Sequence, residues 1–167
     1  TISFVVLVLA IVSLTVFLLY TSTIDEISMQ MLRRVRDASV MASRMAESSE
    51  VRWDRSNYRN TKPFKRLFST YYDTIEAMGL ENIYIIDRKM SCYLVVRGLP
   101  CDTAEEHVRI LEEELDRAFD GEVVLSSFYP KRSKTFVSAY APIFDEDERV
   151  RFLVGVDMDV STGLGLI

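Results

Sequence analysis

From Thr1 to Ile24 the chain carries no charged side chain, whereas all 20 Lys and Arg and all 25 Asp and Glu fall from Asp25 onward. The run Ile2-Ser-Phe-Val-Val-Leu-Val-Leu-Ala-Ile-Val-Ser-Leu-Thr-Val-Phe-Leu-Leu-Tyr20 is apolar on every side, with Ser3, Ser13 and Thr15 as its polar interruptions. As a helix, such a run reaches about 30 Å, the thickness of a bilayer's hydrocarbon core. The hydroxyls are tolerated there because each can bond a carbonyl one turn back, and Tyr20 stands where an interfacial aromatic belongs. The run is longer than the core of a secretory signal, and Leu18-Leu19-Tyr20-Thr21 offers no small-x-small cleavage site. Residues 1–23 therefore read as a retained transmembrane helix. The chain opens with Thr1 and reads as a piece of a longer protein.

The remaining sequence has the balance of a water-soluble domain. A formal net charge of −5 argues against a nucleic-acid partner, since phosphate backbones demand a basic surface. Ile24, Ile27, Met31, Val35, Ala38, Ala42 and Met45 step by three or four, the stripe of an amphipathic helix running on from the bilayer. Two readings of that stripe stand side by side: a homodimer through residues 24–49, or a helix covering its own domain. From Glu50 to Lys65, Arg52, Arg55, Arg59, Lys62 and Lys65 alternate with Trp53, Tyr58 and Phe64. A solvated loop accounts for this stretch more simply than an RNA or headgroup site. Phe64, Leu67, Phe68, Tyr71, Tyr72, Ile75 and Met78 predict a second helix, closed by Gly79 in a left-handed cap.

From Asn82 the period shifts towards two. Residues 82–87 and 91–97 predict two strands of a hairpin, and 122–126, 134–144 and 150–159 three more, the last two joined by the acidic turn 145–149. Thr103 with Glu106 resembles a capping box, and Val108, Leu111, Leu115 and Phe119 mark a helix ending at Asp120-Gly121. The expected fold is α+β: an N-terminal transmembrane helix continuing into a long helix, then a five-stranded antiparallel sheet flanked by helices.

Three segments carry a family resemblance: Ile83-Tyr-Ile-Ile-Asp87, Ala139-Tyr-Ala-Pro-Ile-Phe-Asp145 and Leu153-Val-Gly-Val-Asp-Met-Asp-Val-Ser161. In this order, behind a membrane-proximal helix, they resemble the Cache (PAS-like, PhoQ–DcuS–CitA-type) extracytoplasmic sensor domains of bacterial and archaeal receptors. Residues 24–161 would form one single-Cache module, and 162–167 the approach to a second span. Family members often carry Gly after the Ile-Tyr-x-x-Asp strand, whereas this chain has Asp87-Arg-Lys-Met-Ser91, which predicts a longer or differently shaped hairpin. The resemblance implies the sensing part of a receptor whose output is a histidine kinase, a chemoreceptor signalling domain or a cyclic-dinucleotide enzyme. It implies a small-molecule ligand such as an amino acid or carboxylate, and a periplasmic or extracellular location. The alternative is a non-sensing PAS-like module that dimerises or docks a protein.

Candidate pocket residues follow from the alternation of strand faces. Phe136, Ser138 and Tyr140 share one face of their strand, Asp157 and Asp159 share one with Gly155, and Tyr93 shares one with Arg97. Tyr84 and Arg97 are expected to meet Tyr140 and Asp157 over one cavity, Arg97 clamping a carboxylate and Asp157 accepting from an amine or hydroxyl. Arg52 and Trp53 of the loop are further candidates. Each has a bland reading too, as a core aromatic or a surface ion pair. Cys92 and Cys101 either pair outside the cytoplasm or stay as thiols. His107 is the sole histidine, so no metal-ligand spacing exists. No phosphate loop or nucleophile motif points to catalysis, and no cofactor is called for.

Overall fold

The computed structural model describes residues 2–54, 56–97, 112–131 and 133–161. Its first element, α1 (Ile2–Glu47), is one unbroken helix, so the apolar run and the amphipathic stripe share a single axis. From Phe4 to Tyr20 every side chain is exposed, and α1 is, among the described residues, the one helix long and apolar enough to cross a membrane. Thr15 and Thr23 return their hydroxyls to the carbonyls of Ile11 and Leu19, both at 2.8 Å, which keeps them satisfied without water. Further along, Val35, Ala38 and Ala42 are fully buried and Ala46 nearly so. These small side chains bring the helix close to the sheet.

A 3-10 turn at Tyr58–Asn60 leads into α2 (Lys62–Met78). Thr61 caps that helix by accepting from the Phe64 amide, Pro63 occupies its first turn, and Gly79 ends it at φ 64° in the left-handed cap expected of it. The strands are β1 (Asn82–Asp87), β2 (Cys92–Val95), β3 (Val124–Leu125), β4 (Tyr129–Lys131), β5 (Lys134–Phe144) and β6 (Val150–Asp159), with α3 (Glu112–Phe119) before β3. Strand order is β2-β1-β6-β5-β3, all neighbours antiparallel, and short β4 also pairs with β5. The five expected strands are present, with β2 and β3 shorter than expected; β4 is an addition. The expected start of the third helix at Thr103, like His107 and Cys101, lies outside the described residues.

Alternation divides the sheet into two cores. On one face α1 and α2 cover Ile83, Ile85, Val137, Ala139, Val154 and Val156. On the other, Ala118 and Phe119 of α3 pack with Tyr84, Ile86, Val124, Tyr140 and Leu153. Each fully buried aliphatic side chain here contributes about 2 kcal/mol.

The two tight hairpins share one turn. Asp87 and Asp145 each place a carboxylate oxygen on the amides two and four residues ahead, at 2.8–3.0 Å. The fourth residue of each turn, Met90 or Glu148, is left-handed at φ 60° and 59°. The glycine missing from the first hairpin is thus replaced by a methionine held at positive φ by the Asp87 side chain.

Candidate ligand site

Position 155 lies at the centre of the sheet face that α3 covers. Gly155 pairs with Tyr84 of β1 on one side and Tyr140 of β5 on the other, and with no side chain of its own it leaves the Tyr84 ring space to lie across it. Two residues on, Asp157 pairs with Ser138. All four polar side chains are buried: Tyr84, Ser138 and Tyr140 are 0% exposed and Asp157 3%.

They form one network. The Ser138 hydroxyl donates to Asp157 Oδ1 at 2.5 Å, and the Tyr84 hydroxyl lies 3.3 Å from the same oxygen and 3.0 Å from the Tyr140 hydroxyl. Tyr129 of β4 lies 2.8 Å from Ser138 Oγ. Because the single Ser138 proton goes to Asp157, Tyr129 must be the donor in that pair. With Asp157 ionised, protons point inward along Tyr129–Ser138–Asp157 and from Tyr84. No donor among the described residues reaches Asp157 Oδ2. Burial pushes the Asp157 carboxyl up to about 6, against the hydrogen bonds from Ser138 and Tyr84 and the field of Lys131 that favour the charged form. Burial, then the neighbouring Asp157 charge, holds the Tyr84 phenol well above its ordinary range.

The expected site residues separate into three places. Tyr84, Ser138, Tyr140 and Asp157 come together as predicted, and Phe136 lies on the same strand face, 5% exposed and stacked on Tyr129 with ring centroids 6.0 Å apart.

Arg97 does not join them. A bulge between Ile85 and Ile86 shifts the β1–β2 register, which turns Tyr93 to the α1–α2 face beside Trp53 and Phe152. Strand β2 ends at Val95. Beyond it the Arg97 amide donates to Asn82 Oδ1 at 2.9 Å, and the guanidinium pairs with Glu76 and lies over the Tyr72 ring. The shared face expected for Tyr93 and Arg97 is lost to that bulge.

Trp53 is on the α1–α2 face among Tyr58, Phe64, Tyr93 and Phe152. Exposed Arg52 shares with it a cleft of about 680 Å³ between the end of α1 and the β5–β6 hairpin. Neither this cleft nor a second one along α1, at Arg36, Val40, Met41 and Arg44, includes any member of the buried network.

Sequence reasoning missed Tyr129 and Gly155. Tyr129 is on a three-residue strand too short for a period to register. Gly155 carried a usable signal, since a lone glycine inside a strand pattern marks a close approach.

Cys92 is not a free thiol. Among the described residues no group of three His, Cys, Asp or Glu is arranged to hold a metal.

No family model and no curated protein matches the chain. Solved structures do. The Vibrio cholerae histidine kinase DctB sensor domain aligns over 90% of this chain and 59% of its own at TM-score 0.60 and 13% identity. An extracellular ligand-binding receptor from Desulfohalobium retbaense aligns over 89% and 26% at TM-score 0.57 and 15% identity. The ligand-binding domain of the Campylobacter jejuni chemoreceptor Tlp3, in complex with 4-methylisoleucine, aligns over 89% and 57% at TM-score 0.56 and 8% identity. The chain therefore spans less than two thirds of each of these proteins. At such identities the likeness is one of fold, and the long helix, the sheet order and the helix on each face give this chain the fold of the Cache-type sensor domains.

Proposed function

We propose that this chain is the ligand-sensing part of a membrane-anchored receptor and that its ligand presents an ammonium group to Asp157. The observation that carries the reading is a carboxylate 3% exposed whose Oδ2 no donor among the described residues reaches. Buried carboxylates in folded proteins are ordinarily satisfied, and an ammonium donor would complete the set that Ser138 and Tyr84 begin. Tyr84, Tyr140, Phe136 and Tyr129 supply the aromatic walls that ligand sites combine with a few placed polar groups. The Tlp3 ligand-binding domain has been seen with 4-methylisoleucine and with isoleucine, amines of the expected class.

Transmission would run through β5. Ser138 and Tyr140 lie on that strand, and four residues after Ser138 the Pro142 carbonyl accepts from Ser43 of α1. A ligand that prefers one packing of β5 against α1 shifts the helix population accordingly. In this reading residues 1–23 span the membrane, 24–161 form the sensor on its periplasmic or extracellular side, and 162–167 approach a second span. Residues 24–49 pair two copies, and the output is a kinase, chemoreceptor or cyclic-dinucleotide domain elsewhere in the protein.

One observation favours the alternative, a PAS-like module that only dimerises or docks a protein: both clefts lie away from the buried network. A thermal-shift screen over amino acids, amines and carboxylates decides. An amine present at 100 times its dissociation constant should stabilise the chain by about 2.7 kcal/mol, with Asp157→Asn abolishing the gain. Stabilisation by no compound in the set would favour the docking module.

A further inference from the structure

We propose that the β4–β5 turn, through Lys131 and Lys134, rests on lipid phosphates of the bilayer that α1 enters, so that the domain sits directly on the membrane. This rests on the reading of residues 1–23 as a span.

The height of the turn follows from one contact. Ser43 of α1 donates to the carbonyl of Pro142 in β5, which sets those two positions level. From Pro142, β5 descends to Lys134, about 26 Å at the usual strand rise. A helix covers that distance in about 17 residues, from Ser43 to the neighbourhood of Glu26. The uncharged run ends at Ile24. Any inclination of strand to helix shortens this descent along the α1 axis, so the turn stands level with Glu26 or just above it, within a lysine's reach of the phosphates that border the uncharged run.

Burial along α1 reports the same height independently. Met31 and Leu32 pack against the core, and Ile27 and Ile24 are still half-buried, whereas Phe17, Leu18, Leu19 and Tyr20 are exposed. The packed core thus follows α1 as far as Met31, about 10 Å from Ile24, and burial fades over the next two turns.

The turn has the chemistry for that position. Register pairs Lys131 with Lys134 at the end of the ladder. Lys131 is exposed and makes no ion pair among the described residues; Lys134 is half-exposed, with Asp159 Oδ2 at 2.8 Å. A lysine there buries its stem and extends its ammonium to phosphate oxygens. Asp25 and Glu26 lie near the same level on α1, so the described residues form no broad basic field there. The contact is therefore short-ranged, falling off within a Debye length.

The experiment places an environment-sensitive fluorophore at Val16→Cys, Ser133→Cys or Glu146→Cys of the full chain, in vesicles of phosphatidylcholine and phosphatidylglycerol. Nitroxide quenchers are carried on the headgroups or deep in the acyl chains. The expected result is quenching at 133 by headgroup nitroxide, none at 146 on the opposite hairpin, deep quenching at 16, and loss of quenching at 133 when Lys131→Glu is added. If 16 is quenched and 133 is not, or if Lys131→Glu leaves quenching at 133 unchanged, the docking proposal is overturned while the span stands. If 16 escapes the deep quencher, the span reading fails and the docking proposal falls with it.

Discussion

The Tyr84 ring occupies the space that a side chain at Gly155 would fill: a Cβ there would collide with the ring carbons and come within 2.7 Å of the phenolic oxygen. Gly155→Ala should therefore drive Tyr84 from its place and cost roughly 1–3 kcal/mol as an overpacking change. It should also uncouple the Tyr84 hydroxyl from Tyr140 and Asp157. Chemical denaturation of Gly155→Ala, Tyr84→Ala and the double variant checks this. The second substitution should cost far less once the first is present, because they are felt at one contact. Simple additivity would show that the ring does not depend on the glycine.

The twin hairpin turns make a separate prediction. Met90 and Glu148 occupy left-handed backbone at φ 60° and 59°, which costs an ordinary residue on the order of 1 kcal/mol and glycine much less. Met90→Gly and Glu148→Gly should each leave stability unchanged or raise it by up to about 1 kcal/mol. Asp87→Ala removes the acceptor for the amides of Lys89 and Ser91 and should lower stability by about 1 kcal/mol, on the scale of a lost cap. Thermal melts of the three single variants suffice, and a destabilised Glu148→Gly would contradict the account.

Strands β1, β5 and β6 were legible in the sequence to the residue, because each is longer than four residues and alternates cleanly. The convergence of Tyr84, Ser138, Tyr140 and Asp157 followed from the same alternation. Arg97 was misplaced because β2 ends at Val95, two residues before it, and Tyr93 because a bulge inserts one residue into a ladder without any local signature and exchanges the faces beyond it. Tyr129 escaped because a three-residue strand exists only by pairing with β5. Asn82 shows the limit differently: its side chain accepts from the amides of Ile83 and Arg97, a contact no spacing rule announces.

A covalent clasp is expected near that bulge. Cys92 is half-buried in β2 and is not a free thiol, and Cys101 is the other cysteine of the chain. Pairing of the two closes a short loop whose entropic contribution is about 2.6 kcal/mol. Intact mass before and after reduction and alkylation should show two alkylated thiols only after reduction. Cys92→Ser with Cys101→Ser should lower stability by that amount. Thiols freely alkylated in oxidised protein would remove the clasp.

The acidity of Asp157 ties stability and ligand binding to pH. Burial raises its folded-state value to about 6 from an unfolded value near 4, so between those limits the native state holds more protons than the unfolded chain. The contribution of this group to stability then falls as pH rises from about 4 to about 6, and the ionised carboxylate carries a penalty on the order of 3 kcal/mol above that window. In the absence of ligand, Asp157→Asn should be more stable than the parent at pH 7.5. The difference should shrink towards pH 4.5, where the parent's carboxyl is itself neutral. An ammonium ligand needs the charged form, so the stabilisation it confers should be full at pH 7.5, fade below about 6 and vanish in Asp157→Asn. Denaturation midpoints of both proteins across this range, with and without the amine identified by screening, check both halves. A destabilised Asp157→Asn whose deficit is the same at every pH would show that the buried carboxylate is held as a structural hydrogen-bond acceptor, with no charge penalty for a ligand to relieve.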